Sequence, residues 1–153
     1  MKRSISVFII IIFLAAFCYS AASTMAKNAP RPPRAEDKDL SDRLLSQTFA
    51  AYENYTRNVF TDIVSKDFIP DRFQMIDGVE RNFYAAKPVD IDYFINKVEP
   101  GNGTLAISFT WNKKEMMRSN GSQRMEKGSS SFVYKKSDDR WQLYSIKGRS
   151  PFL

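Results

Sequence analysis

Proton transfer in this chain would fall to carboxylates and phenols, because the sequence contains no histidine. Histidine is the side chain that titrates near neutrality and the commonest zinc ligand. Its absence excludes Ser-His and Cys-His nucleophilic pairs and histidine-bound metals. Asp90 and Asp92 bracket Ile91 and precede Tyr93, while Tyr52 and Tyr55 stand upstream. A carboxylate and a phenol within hydrogen-bond reach of one substrate could serve as base and acid. Trp111 and Trp141 offer flat faces for stacking, although large aromatics ordinarily serve the core. Lys113, Lys114, Arg118, Arg124 and Lys127 are interleaved with Glu115 and Glu126. Mixed signs at that density read as a solvated hairpin, not as a nucleic-acid surface. We find no phosphate loop, metal-ligand cluster or internal repeat, so no cofactor or metal is expected.

The elements that must position these groups are legible from periodicity. Leu105, Ile107, Phe109 and Trp111 alternate with Ala106, Ser108 and Thr110, the period of a strand with one buried face. Asn120-Gly121 supplies a tight turn. Ser129 to Lys136 returns as a second strand, Ser137-Asp138-Asp139 turns, and Arg140 to Gly148 closes the sheet. Val89 to Ile95 alternates in the same way and is read as the first strand, joined to Leu105 through Pro100-Gly101-Asn102-Gly103. By alternation the inward set is Val89, Ile91, Tyr93, Ile95, Leu105, Ile107, Phe109 and Trp111. That set holds no carboxylate, since Asp90 and Asp92 take the opposite parity.

Upstream the pattern is helical. Leu40, Leu44, Leu45, Phe49, Tyr52, Val59, Phe60 and Ile63 recur at helical spacing, with Asp39 and Ser41 as candidate caps. This is one helix or two joined near Tyr55-Thr56-Arg57-Asn58. Ser65 to Ile69 leaves the helix, and Pro70 is positioned to open the next. Phe73, Ile76, Val79 and Phe83 give that helix its apolar stripe, and Pro88 ends it. Helices followed by a meander of strands define an α+β class, with N-terminal helices packed on one face of a curved antiparallel sheet.

The N-terminus has a different character. Lys2-Arg3 precedes a nearly unbroken apolar run from Ile5 to Phe17, and small residues follow in Ser20-Ala21-Ala22-Ser23 and Thr24-Met25-Ala26. These are the parts of a secretory signal peptide, and the run is shorter than the roughly 20 residues of a spanning helix. The alternative is an uncleaved anchor. Cleavage fits after Ala22 or Ala26, with Ala26 preferred. The bulky Phe17 before Cys18 fits poorly with a lipid-attachment site. Residues 1–26 are therefore read as the signal, 27–38 as a proline-rich linker and 39–153 as the folded domain. Cys18, the only cysteine, leaves with the signal, so no disulfide is expected. Lys2 and Arg3 contribute two of the +6 net charges, leaving +4 on the mature chain. Asn54-Tyr55-Thr56, Asn102-Gly103-Thr104 and Asn120-Gly121-Ser122 match the glycosylation pattern.

Several stretches together carry a resemblance: Val64-Ser65-Lys66-Asp67-Phe68, Phe83-Tyr84, Leu105 to Trp111, Gly128 before Phe132-Val133-Tyr134, Arg140-Trp141-Gln142-Leu143 and Ile146-Lys147-Gly148. From Leu40 to Phe152 the chain resembles the nuclear transport factor 2-like superfamily, a cone-shaped α+β fold that includes SnoaL-like cyclases and ketosteroid isomerase. The resemblance implies a cavity between helices and sheet, and the ligand-binding residues expected there are Tyr52, Tyr93, Phe109 and Trp111. Isomerases of this fold use a carboxylate base in an apolar pocket. With no carboxylate in the inward set, the expected function is an exported, non-catalytic binding or interaction module with an apolar cavity. The alternative is an isomerase or cyclase acting on a small apolar substrate, and a buried acid beside a tyrosine hydroxyl would favour it. The expected partner is a small apolar molecule or a cell-envelope protein, not nucleic acid. Phe94, Val133 and Tyr144 take the outer parity of the sheet and suggest a homodimer through that face.

Export has a direct test. The mature protein isolated outside the cytoplasm is expected to begin at Ser23 or Lys27 by intact mass. Full-length protein beginning at Met1 and retained in the cytosol would refute the signal reading.

Overall fold

The computed structural model describes residues 31–153, so the expected signal peptide and the first part of the linker lie outside the described residues. Helix α1 (Ala35–Glu53) and helix α2 (Arg57–Ile63) come first, followed by strand β1 (Val64–Ile69) and helix α3 (Arg72–Ala85). Four long strands complete the chain: β2 (Ala86–Pro100), β3 (Thr104–Met117), β4 (Gln123–Ser137) and β5 (Arg140–Gly148). The sheet order is β1-β5-β4-β3-β2. The four long strands pair antiparallel as the alternation requires, whereas β1 adds to the edge of β5 in parallel.

The structure corrects several boundaries. Helix α1 begins inside the expected linker. The Asp37 carboxylate accepts the Arg34 backbone N–H at 2.7 Å. Glu36 and Asp37 in the first turn complement the helix dipole. The helical stretch does break, at Asn54 to Thr56, which divides α1 from α2. Pro70 does not open α3. Asp71 caps it instead, accepting from the Gln74 N–H at 3.0 Å, as a short acidic side chain at that position does well. Pro88 lies within β2, and the helix has already ended at Ala85. The first strand of the chain is β1, not β2.

Register explains the one inward residue that is displaced. Val89 is exposed because β2 shifts register between Pro88 and Asp90 and again between Ile95 and Lys97, and each shift re-aims the side chains beyond it. Inward parity therefore falls on Pro88, skips Val89, resumes at Ile91 and passes to Val98 after the second shift. Asp90 and Asp92 are exposed, as their parity implies. On β3 every alternate residue from Leu105 to Glu115 is buried, two inward positions further than the apolar pattern reaches.

The interior is aromatic. Phe49 of α1 meets Phe109 edge-on at 5.8 Å, and Phe109 meets Phe132 at 4.8 Å. Phe152, from the segment after β5, inserts between the layers. Its ring centre lies 4.9 Å from Tyr52, 5.5 Å from Phe60, 5.6 Å from Phe132 and 5.8 Å from Phe49. The Asn82 amide of α3 holds this segment by donating to the Phe152 carbonyl at 3.0 Å. Truncating such a ring removes apolar burial from helix and sheet at once.

Phe152→Ala is expected to destabilise the fold by about 3–5 kcal/mol. The neighbouring Leu153→Ala, at an exposed position, is expected to cost under about 1 kcal/mol. Equal urea midpoints for the two variants would show that Phe152 does not close the core.

Candidate functional site

Of the four residues expected to line a cavity, three are core. Tyr52, Phe109 and Trp111 are buried, and Tyr93 is half-buried at the rim. The Tyr52 hydroxyl accepts from the Asn82 amide at 3.3 Å. Burial, with the nearby Glu115 charge second, holds its pKa well above the usual phenol range, since both disfavour a phenolate. The Tyr93 hydroxyl donates to the Asp42 carboxylate at 2.9 Å, and burial together with that bond pushes it up to about 12. Neither phenol is poised to ionise near neutrality. Tyr134, absent from the expected set, is also buried, and its hydroxyl lies 2.9 Å from Thr48 Oγ1 and donates to the Leu44 carbonyl.

Trp111 is held by hydrogen bonds and close packing. Its indole N–H donates to Ser130 Oγ at 2.9 Å and to the Arg149 carbonyl at 3.2 Å. Gly128 is its partner across the strands, and a Cβ there would come within 2.6 Å of the indole ring. Glycine at 128 is thus required by close packing on the tryptophan. The Arg149 guanidinium lies over the indole at 5.8 Å from its centre, where a cation is attracted to the ring face.

The group that periodicity did place inward, but that residue type disguised, is Lys113 with Glu115. The expected solvated hairpin is corrected here, because both side chains are 0% exposed. Lys113 Nζ lies 2.9 Å from Glu115 and 3.6 Å from Glu126. Arg124 Nε donates to Glu115 Oε1 at 2.6 Å, and Arg124 and Arg149 each pair with Glu126. Desolvation alone would raise the Glu115 pKa, but hydrogen bonds and charges from Lys113 and Arg124 outweigh it and hold the carboxyl below its ordinary value. A buried acid therefore does stand near the Tyr52 phenol. It is ionised, occupied and a weak base. The inward parity of Trp111, continued by two and then four residues, was the signal that could have located it.

Clefts open elsewhere among the described residues, and two of them combine apolar walls with charged groups of both signs. One, of about 580 Å³, lies between α3, the end of β1 and the segment after β5. Phe68, Phe73, Met75, Ile146 and Leu153 form its apolar walls, and Asp71, Asp77 and Arg81 stand on its polar side. Gly78 lets Leu153 seat on α3, since a Cβ there would meet the leucine at 2.7 Å. The other, of about 490 Å³, lies between α1, α2 and the start of β5. Phe73 and Val59, both counted on buried helical stripes by spacing, are 71% and 51% exposed and line one cleft each. Among the described residues, no group of three or more acids or cysteines is arranged to hold a metal ion, and no helix is long and apolar enough to cross a membrane.

No protein-family model matches the sequence, and a search of curated proteins finds no match. Solved structures do match. A conserved protein from Planctomyces limnophilus superposes with a TM-score of 0.64 at 16% identity, over 76% of this chain and 100% of that one. A nuclear transport factor 2-like superfamily protein from Salmonella enterica gives 0.60 at 12% identity, over 76% and 92%. A ketosteroid isomerase-like protein from Erwinia carotovora gives 0.57 at 13% identity, over 72% and 94%.

The buried pair carries a signed prediction. Glu115→Gln leaves the buried Lys113 with only the more distant Glu126 and is expected to cost about 3 kcal/mol, whereas Lys113→Met with Glu115→Leu should lie much nearer neutral. The folded carboxyl is held below its ordinary value of 4.5. Its contribution is therefore present above that value and lost as pH falls through the lowered folded one. Stability from urea unfolding, followed from about pH 7 to about pH 3, should fall less steeply in Glu115→Gln than in the parent. Identical slopes would mean that Glu115 is not held ionised by its partners.

Proposed function

The chain has the nuclear transport factor 2-like fold, and from that premise we propose that it is an exported, non-catalytic binding module for a small apolar molecule or an apolar group on a cell-envelope partner. The observation that carries this reading is the apolar cleft of about 580 Å³ walled by Phe68, Phe73, Met75, Ile146 and Leu153. Its volume falls in the range of small-molecule sites, and apolar walls beside a few polar groups are the usual composition of such sites. Phe73 supports it further, because a ring left 71% exposed has apolar area available to a ligand.

Acid–base catalysis finds less support. A general base needs a free lone pair and a pKa near the working pH. Glu115 fails the second requirement, since Lys113 and Arg124 hold its carboxyl below the ordinary value, and Asp90 and Asp92 are exposed. Tyr52, Phe109 and Trp111 are buried in the core and line neither cleft, and a ligand reaching Tyr52 would meet Phe152 packed against it. The homodimer belongs to the same proposal. Phe94 stands 71% exposed on the outer face of β2, where a second copy could cover it.

The neutral fluorescent probe N-phenyl-1-naphthylamine tests the site. Binding to the mature chain is expected to weaken about tenfold in Phe73→Ser, which removes an exposed ring from the wall. Trp111→Phe should leave it unchanged. The reverse pattern would place the ligand in the interior of the cone and overturn the assignment to the cleft.

A further inference from the structure

The cleft between α1, α2 and the start of β5 combines features that the apolar cleft lacks. Buried Leu44, half-buried Trp141 and exposed Val59 supply its apolar lining. Arg43 and Arg140 line it from different elements, one on α1 and one at the first position of β5. Other arginines of this chain are engaged. Arg72 donates to the Thr61 carbonyl, Arg118 to the Phe83 carbonyl, and Arg57, Arg81 and Arg124 pair with acids. Arg43 and Arg140 have no hydrogen-bond or ion-pair partner among the described residues. Asp62 also lines the cleft. Its backbone carbonyl accepts the Gln142 amide at 3.0 Å, which fixes α2 against β5. The charged groups on the cleft thus sum to a single positive charge, from two cations and one anion.

We propose that this cleft binds a planar apolar molecule carrying a carboxylate, with the ring against Trp141 and the carboxylate on Arg43 and Arg140. A guanidinium matches a carboxylate with two parallel hydrogen bonds, and a partly enclosed wall strengthens each of them relative to open solvent. The indole supplies a rigid face of large area at little cost in conformational freedom. Asp62 opposes the anion, so the electrostatic balance makes a prediction that simple packing does not. Removing that charge must tighten binding, whereas removing either arginine must weaken it.

The chain has two tryptophans, which makes the test clean. In the ¹⁵N-labelled mature protein, Trp141→Phe assigns the two indole N–H signals. Titration with 1-naphthoate is expected to shift the Trp141 signal saturably and to leave the buried Trp111 signal in place. Arg43→Gln with Arg140→Gln should raise the Kd about tenfold or more, and Asp62→Asn should lower it about threefold. The neutral isostere 1-naphthalenemethanol should bind about tenfold more weakly than the acid. All the substituted charged side chains are exposed, and an unchanged Trp111 signal verifies the fold in each variant. A Trp141 signal that never moves, equal affinity for acid and alcohol, or an Asp62→Asn variant that binds no more tightly would each overturn the proposal. The neutral probe of the apolar cleft does not report on this one, so the two assignments fail or stand separately.

Discussion

The interior of this protein closes on one side chain. Phe152 touches α1 through Tyr52 and Phe49, α2 through Phe60 and the sheet through Phe132. Without it, the inward faces of β3 and β4 and the helices above them would enclose a void, and a void forfeits dispersion contacts on every wall. The same segment determines the surface. Because Asn82 holds the Phe152 carbonyl, Leu153 is delivered onto Gly78 of α3, and the apolar cleft acquires one of its walls. Filling of the core and formation of the outer cleft are therefore one event.

Alternation made the four long strands legible because each keeps one face on the core. It was equally informative about Lys113 and Glu115, whose parity matches Trp111, but their charge directed the reading toward solvent. The general expectation that lysine and glutamate stay exposed fails only when they are paired, and pairing across strands depends on register. The same dependence hid Val89, whose exposure follows from a bulge that no local pattern announces. Strand β1 was missed for a different reason. It is six residues long, with Lys66 and Asp67 side by side, and it exists because β5 offers an open edge far later in the chain, with Val64 opposite Leu143. The clefts were least legible of all. Phe73 and Val59 have the spacing of buried residues, and only the packed arrangement of α2 and α3 against their neighbours leaves them outside.

The chemistry of the interior follows from how its charges are compensated. An isolated carboxylate in such surroundings would take up a proton, and a raised pKa is what makes a buried acid useful as a catalyst. Glu115 has instead been given two cations, with Glu126 balancing the network from the next strand. The arrangement turns a potential base into a fixed ionic tie across β3 and β4. Buried ties of this kind are weak contributors to stability but intolerant of losing one member. The outer clefts, by contrast, leave apolar rings and the guanidinium groups of Arg43 and Arg140 accessible.

The position of those ionic residues along β3 has a consequence before the fold exists. The stretch from Leu105 to Trp111 is apolar at every second position, carries no charge and contains no proline. Such a segment, once unfolded, is prone to stack with copies of itself into intermolecular sheets. Lys113, Lys114 and Glu115 follow it after Asn112, the place of gatekeeper charges, since registering like charges along a stack is repulsive. Residues that tie the strands together in the finished protein thus also flank, in the unfolded chain, the segment most suited to intermolecular pairing.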